Sequence, residues 1–482
     1  MIALTLAELA SIVDGTVVDA GPDVPVTAPA FLDSRYVEPG GLFVAFDGEH
    51  ADGHDFAPAA VQGGAAAVLG TRGTGVPSVL VTDARAALQA LAAEVLRRLR
   101  ADGMGLRVIA VTGSQGKTTV KDMLARVLSD AGPTVATAGS FNNELGLPLT
   151  VLRATYETRY LVLEMGARGV GHLAELCAIA PPDISLVLNV GKAHLGEFGS
   201  QAQIAVAKGE LVEALPADGA AVLNIDDPLV AAMERRTRAR AWTFGRSADA
   251  EMHLGAVEVD DLGRPSFALT RAGHSEHVSL KLLGEHQALN AAATAATASA
   301  AGLELEDIAA SLRAVERLSP WRMQLHERTD GLAVVNDAYN ANPDSMRAAL
   351  ETLARLGGSG RRTVAVLGEM RELGGDADEE HRQVGLSADR LGIDVVLVVG
   401  SGARGVYDAL VERRGAQGRT RHVDTLDQAG DWLRENVAGP DVVLVKASRG
   451  ERLERVAEML LEQPAGQRAH EDGADGGEEP VS

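Results

Sequence analysis

The stretch Val108-Ile109-Ala110-Val111-Thr112-Gly113-Ser114-Gln115-Gly116-Lys117-Thr118-Thr119 decides the fold. It opens with an apolar run suited to a strand buried on both faces. A glycine turn follows, and Lys117-Thr118-Thr119 opens a stretch with helical periodicity that runs to residue 129. A buried strand, a glycine turn and a helix start carrying lysine and hydroxyls make a phosphate-binding loop. In such a loop, backbone N–H groups at the positive end of a helix cradle phosphate oxygens. Lys117 would neutralise the β- and γ-phosphates, and the Thr118 hydroxyl would bind Mg²⁺. Gly113, Ser114, Gln115, Gly116 and Thr119 complete the candidate nucleotide site, with ATP or GTP as its ligand. The common pattern has a glycine where this chain has Val111.

The chain holds six lysines against 39 arginines. Both residues solvate a surface, but only lysine offers a compact ammonium or an amine that can lose its proton. Lys117, Lys208 and Lys446 therefore stand out. Lys208 lies in Ala205-Val206-Ala207-Lys208-Gly209-Glu210, on an alanine-rich helix. A surface role is open to it. So is a buried one, where burial lowers the pKa and the neutral amine can react with CO₂ to give a carbamate.

Working outward, strands and helices alternate from residue 106 to about 318. Strands are expected at 107–111, 160–164, 184–189 and 221–224, and helices at 117–129, 170–179, 200–214 and 227–236. That alternation implies a mostly parallel sheet covered on both faces. Residues 251–283 suggest short antiparallel strands, followed by a helix at 287–301. Residues 1–103 read as a small α/β unit, with strands at 42–46 and 65–69, a helix at 84–100 and a linker at 101–105. Residues 319–463 read as a second doubly wound sheet, with strands at 332–336, 363–367, 395–399 and 442–446. Residues 464–482 are acidic and glycine-rich, the composition of a disordered tail. The expectation is an α/β protein with domains at 1–103, 104–318 and 319–463.

At 482 residues, 46% hydrophobic and 23% charged, the composition is that of a soluble globular protein. A net charge of −22 argues against nucleic acid as the main partner. The single cysteine, Cys177, forms no intrachain disulfide and reads as a small buried hydrophobe. The N-terminus carries Glu8 and no cationic start, unlike a signal peptide. No apolar run reaches membrane-spanning length. A cytoplasmic monomer is expected.

Two further residues belong to the edge where the phosphate loop lies. Ligands gather at the carboxyl ends of parallel strands. Glu164 ends one strand, in Leu161-Val162-Leu163-Glu164-Met165-Gly166, and offers a carboxylate for Mg²⁺. His194 follows the next strand, in Asn189-Val190-Gly191-Lys192-Ala193-His194, and a structural role and a metal role are both open to it.

Together these segments resemble the Mur ligase family, the ATP-dependent amide-forming enzymes of peptidoglycan precursor synthesis. The resemblance is carried by the loop at 112–119, Asn142-Asn143-Glu144-Leu145-Gly146-Leu147-Pro148, Glu164-Met165-Gly166, His194, Ala207-Lys208-Gly209-Glu210 and Gly284-Glu285-His286-Gln287-Ala288-Leu289-Asn290. It covers nearly the whole chain except the tail. The family's loop also lacks the early glycine, which accounts for Val111.

The resemblance implies a UDP-binding N-terminal domain, a central ATPase domain and a Rossmann-like C-terminal domain. It implies Mg²⁺ held by Thr118, Glu164 and His194, and a carbamylated Lys208 that helps to position a second Mg²⁺. It implies that Asn290 contacts adenine and that Arg322 and Asp337 approach the nucleotide. Lys117, Lys208, His194 and Asp337 become the catalytic candidates. Position 287 is a departure, since the family often has asparagine there.

Asp33-Ser34-Arg35 and Asp52-Gly53-His54-Asp55-Phe56 look like the UDP-binding domain of the members acting third and fourth in the pathway. Ser34 and Arg35 would meet the UDP end, and Asn142 and Asn143 are further substrate-binding candidates. Asn336-Asp337-Ala338-Tyr339-Asn340-Ala341-Asn342-Pro343-Asp344-Ser345-Met346 and Val366-Leu367-Gly368-Glu369-Met370-Arg371-Glu372-Leu373-Gly374 look like the members that add D-Ala-D-Ala to UDP-MurNAc-tripeptide through an acyl phosphate. Tyr339, Asn340 and Asn342 could hydrogen-bond the dipeptide. Lys446, Ser448 and Arg449 close the last strand, where cations suit its carboxylate. The rivals are a diaminopimelate- or lysine-adding member, whose Asp-Asn-Pro-Arg signature is absent, and a P-loop phosphotransferase, which would give Lys208 no role.

Overall fold

The central sheet is built around the strand Arg107–Thr112, buried from Val108 onward. In the computed structural model, which describes residues 1–48, 51–102, 105–191, 198–316, 319–358, 360–415 and 419–462, this strand lies between Tyr160–Glu164 and Ile184–Val187, parallel to both. Thr134–Ala136 pairs with the outer side of Tyr160–Glu164. On the other side the parallel run continues through Ala220–Asn224, Arg240–Gly245 and Met252–Leu254. Pro265–Arg271, Glu258–Val259 and His274–Ser279 extend it antiparallel. The antiparallel extension predicted for 251–283 is therefore part of the main sheet.

Parallel strands covered on both faces need apolar residues on both, and the two core clusters that flank the sheet supply them. On one face Lys117–Ala131 buries Val120, Met123, Leu124, Val127 and Leu128. His286–Ala300 joins them on that face, and its alanines give close helix–sheet approach.

The first hundred residues fold as a five-stranded sheet with the helix Ala84–Ala101. Asp83 caps that helix through the N–H groups of Arg85 and Ala86. Leu88, Leu91, Val95 and Leu99 recur at three- and four-residue spacing and are buried. Each contributes about 1.5–3 kcal/mol of burial. They pack into one core with Leu147, Val151 and Leu163 of the central region. The chain divides into two compact units, one holding Met1–Pro320 with Glu372–Ala377, the other Trp321–Arg371 and the described residues from Asp378 onward.

The second unit is a six-stranded sheet in the order Gln324–Glu327, Ala333–Asn336, Val442–Lys446, Thr363–Leu367, Val395–Val399, Thr420–Val423. All neighbours are parallel except the first pair. The expected tail, 464–482, lies outside the described residues, as does part of the expected linker at 103–104. No helix among the described residues is long and apolar enough to cross a membrane.

Candidate active site

The phosphate loop joins Arg107–Thr112 to Lys117–Ala131, and its shape follows from Gly116, which has φ +80°. A side chain there would be strained, and its Cβ would also come within 2.8 Å of Asn290 Oδ1. The missing side chain thus lets the adenine-contact candidate lie against the loop. Asn290 Nδ2 donates to Gln287 Oε1 at 2.9 Å, and Gln287 is buried. Gln287, whose role the sequence left in doubt, orients the Asn290 amide.

Two N–H groups expected to cradle phosphate are already engaged. Ser114 donates to the Asn189 carbonyl at 3.1 Å and Gln115 to Asn189 Oδ1 at 3.0 Å. Ser114 Oγ in turn accepts from Gly191. Asn189 is a clamp on the loop that sequence reading missed, although an asparagine just beyond a buried strand is the available signal. Lys117 Nζ donates back to the Gly113 carbonyl at 2.7 Å, which folds the ammonium over the turn.

Glu164 ends its strand 1% exposed. Its N–H donates to Thr137 Oγ1, and Oε1 accepts from Asn142 Nδ2 at 2.7 Å. Oε2 is buried and has no hydrogen-bond partner among the described residues. A buried carboxylate oxygen without a donor is costly unless a cation meets it. No group of three or more His, Cys, Asp or Glu able to hold a metal occurs among the described residues. His194 lies outside them.

Lys208 lies in the helix Gln201–Glu213 and is 4% exposed. Burial, and then the Lys117 ammonium, push its pKa well below the ordinary lysine range. A lysine so placed favours the neutral, nucleophilic amine. Gly209 leaves room for the Arg236 guanidinium, which donates to the carbonyls of Ala205 and Val206 and braces this helix. Glu210 accepts from Gly171 and Ala174 and so caps the helix His172–Ile179. Cys177, inside that helix, is buried against Met165 with its thiol pushed up to about 12, an inert core residue.

The two adjacent asparagines diverge. Asn142 faces Glu164, whereas Asn143 Oδ1 accepts from the N–H groups of Leu145 and Gly146, where the helix Gly146–Val151 begins. Asn143, expected at the substrate, spends that oxygen on the fold. In the N-terminal sheet region Arg35 is exposed and forms a bidentate pair with Asp33, whose pKa it lowers to about 2. Ser34, between them, is half-buried.

In the second unit Asp337 follows Ala333–Asn336, and Lys446 ends the neighbouring strand. Lys446 is 2% exposed and donates to Asp337 Oδ2 at 2.6 Å and to the Asn340 carbonyl at 2.8 Å. The cation expected to meet a dipeptide carboxylate is engaged with Asp337 at this buried strand end. Asp337 Oδ1 accepts from Met323, next to Arg322. The Arg322 guanidinium lies over the Tyr339 ring at 4.2 Å. Asn342 caps Pro343–Gly357 by accepting from Ser345, which engages its oxygen. Ser448 accepts from the Arg371 N–H. Arg449 pairs with Glu454 and lies over Trp321. The Asn340 side chain is exposed.

Three segments match described families. Residues 31–102 match the Mur ligase family catalytic domain, 111–298 the Mur ligase middle domain, and 321–449 the Mur ligase glutamate ligase domain. The chain is 45% identical to the UDP-N-acetylmuramoyl-tripeptide--D-alanyl-D-alanine ligase of Mycobacterium tuberculosis strain H37Rv, over 96% of this chain and 98% of that one. It is 37% identical to the Escherichia coli K12 protein of the same name, over 96% and 99%. The fold is similar to that of MurF from Acinetobacter baumannii, with TM-score 0.84, 30% identity, and coverage of 96% of this chain and 100% of that one. It is also similar to MurF ligase from Thermotoga maritima in complex with ADP, with TM-score 0.76, 31% identity, and coverage of 91% and 98%. A phosphate loop clamped by a strand-end asparagine, a strand-end glutamate with an unpartnered oxygen and a buried lysine of lowered pKa thus stand in a chain that matches these families along most of its length, and the chain belongs to the Mur ligase family.

Proposed function

We propose that this chain joins D-Ala-D-Ala to UDP-MurNAc-tripeptide, with hydrolysis of ATP to ADP and phosphate, in peptidoglycan precursor synthesis. The observation that carries this reading is its near-full-length similarity to enzymes that bear that name. The C-terminal segment at 336–346, which differs from the signature of the diaminopimelate-adding members, supports the same choice.

The reaction has two steps. A carboxylate oxygen of the tripeptide attacks the γ-phosphorus of ATP, the β–γ bridging P–O bond breaks, and ADP leaves with that electron pair. The free amine of D-Ala-D-Ala then attacks the acyl-phosphate carbonyl. The C–N bond forms, the amine loses a proton, and phosphate departs as the C–O bond breaks. A carboxylate and a triphosphate repel, so their approach depends on fixed positive charge in a preorganised site. Lys117 supplies one such charge at the loop.

Mg²⁺ is the second expected source. Thr118 and Glu164 are hard oxygen donors of the kind it takes, and the unpartnered Glu164 Oε2 fits a cation. We assign these residues, with His194, to hold it, and two ions to the working enzyme. When bound, Mg²⁺ neutralises charge on the phosphate oxygens. Lys208 is assigned as a carbamate, which its burial and lowered pKa support. Asn290 is assigned to adenine, Arg322 and Asp337 to the nucleotide, and Ser34 and Arg35 to the UDP end. Tyr339 and Asn340 are assigned to the dipeptide. The domain limits 1–103, 104–318 and 319–463, a monomeric state and a cytoplasmic location belong to the same reading.

The test is ADP release with UDP-MurNAc-tripeptide and D-Ala-D-Ala in one reaction, and with UDP-MurNAc-dipeptide and diaminopimelate in another. Turnover only in the first is expected. Turnover only in the second assigns the chain to the diaminopimelate-adding members.

A further inference from the structure

We propose that Asn142 is a positioning residue for Glu164. It holds one carboxylate oxygen so that the other is presented to the divalent cation of the nucleotide. This rests on the reading of Glu164 as a cation ligand given above.

Glu164 sits at a strand end with its backbone fixed. Its N–H is held by Thr137, and the next residue, Met165, donates to the Val111 carbonyl. What remains free is rotation of the carboxylate itself. The Asn142 amide removes that freedom, because Nδ2 lies 2.7 Å from Oε1. Oε2 is left buried and without a partner among the described residues.

Asn142 is fixed from both sides. Its N–H donates to the Ser140 carbonyl at 2.7 Å, and its own carbonyl accepts from Gly166 at 2.9 Å. Gly166 also supplies the space, since a Cβ there would lie 3.0 Å from Asn142 Oδ1. The loop therefore locks Asn142 to the same strand end that carries Glu164. Asn143, one residue on, turns its side chain to the Leu145 and Gly146 N–H groups instead.

The side-chain type suits the task. A carboxamide donates a hydrogen bond and brings no charge, so it orients the carboxylate without neutralising it. A lysine or arginine here would form an ion pair and compete with the cation. Outer partners that orient a metal ligand in this way change metal affinity by about 10–100-fold when removed.

The test uses the full chain and a non-hydrolysable ATP analogue, AMPPNP. Its affinity is measured with Mn²⁺ and with EDTA, and the ratio gives the cation-dependent gain. Glu164→Gln is expected to remove most of the gain. Asn142→Ala is expected to lower it by about 10–100-fold while the affinity in EDTA stays at the wild-type value. Asn142→Ser, too short to reach Glu164 but still polar in the turn, carries the same expectation and serves if the alanine variant folds poorly. Asn143→Ala is expected to lower the Tm and leave the gain intact, which separates loop stability from cation positioning. If Glu164→Gln loses the gain and the Asn142 variants keep it, the positioning role is overturned and the cation reading stands. If Glu164→Gln keeps the gain, the cation reading falls and the proposal with it.

Discussion

Lys446 and Asp337 form a buried ion pair across adjacent parallel strands, with Nζ 2.6 Å from Oδ2. The sheet register creates it. Asn336 lies opposite Val445, so the next residue on each side, Asp337 just past its strand and Lys446 at the end of its own, emerge side by side. Removing one partner of a buried pair strands the other charge, which costs about 3–5 kcal/mol. Lys446→Met and Asp337→Asn are each expected to lower the unfolding temperature of the full chain. The double variant is expected to be less destabilised than the sum of the singles, and thermal unfolding of the four proteins measures that coupling. Strict additivity would mean that the pair contributes nothing as a pair.

Lys208 tests the carbamate assignment. Arginine stays protonated at any working pH, so Lys208→Arg cannot form a carbamate and sets a permanent charge in a buried position near Lys117. A loss of about 100-fold or more in kcat is expected, the upper end of what the loss of an orienting group costs a metal site. The direct readout is ¹³C NMR of protein held in ¹³C-bicarbonate. A carbamate resonance is expected in wild type and not in Lys208→Arg. A wild-type spectrum without that resonance would sink the assignment.

Asp330 gives a pH dependence. Arg328 pairs with it, and both side chains are mostly buried. The guanidinium lowers the Asp330 pKa from 3.8 to about 2. Because the folded value lies below the unfolded one, the unfolded chain binds more protons between them. The stabilisation is therefore complete above about pH 4 and is lost as the pH falls towards 2. Its size is about 1–2 kcal/mol after allowance for partial exposure. Arg328 also donates to the Leu460 carbonyl, so the last helix shares in the loss. Urea unfolding at pH 5 and pH 3 is expected to show a smaller acid destabilisation in Asp330→Asn than in wild type.

What the sequence disclosed, and what it hid, follows from range. The strand Tyr160–Glu164 was legible to the residue because an apolar run ends in a charge. The phosphate loop was legible because its glycines, lysine and threonines are contiguous. The strand Arg240–Gly245 was not, since its core residue Trp242 lies under the guanidinium groups of Arg240 and Arg271 and the local composition looks polar. The helix Gly146–Val151 contains Gly146 and Pro148, which local propensity counts against a helix. At the site, Glu164 could be named from its strand, but its partner Asn142 lies 22 residues away. The Asn189 clamp on Gln115 spans 74 residues and Lys446–Asp337 spans 109. Such pairs exist only once the sheet order is set, and no local pattern announces them.

Gly116 and Gln287 meet different atoms of the Asn290 amide, Oδ1 and Nδ2, which yields a paired expectation. Gly116→Ala places a Cβ in the left-handed region and against Asn290 Oδ1, so it strains the loop and displaces the amide together. Gln287→Ala leaves the loop untouched and removes only the acceptor for Asn290 Nδ2. One lost hydrogen bond of about 1 kcal/mol corresponds to a roughly fivefold weaker site. Gln287→Ala is therefore expected to raise the KM for ATP about fivefold with little change in kcat, whereas Gly116→Ala is expected to lower kcat as well, because Lys117 begins at the next residue. Steady-state kinetics with ATP as the varied substrate separate the two. If Gln287→Ala kinetics match wild type, the Gln287 hydrogen bond is not what positions Asn290 for nucleotide binding.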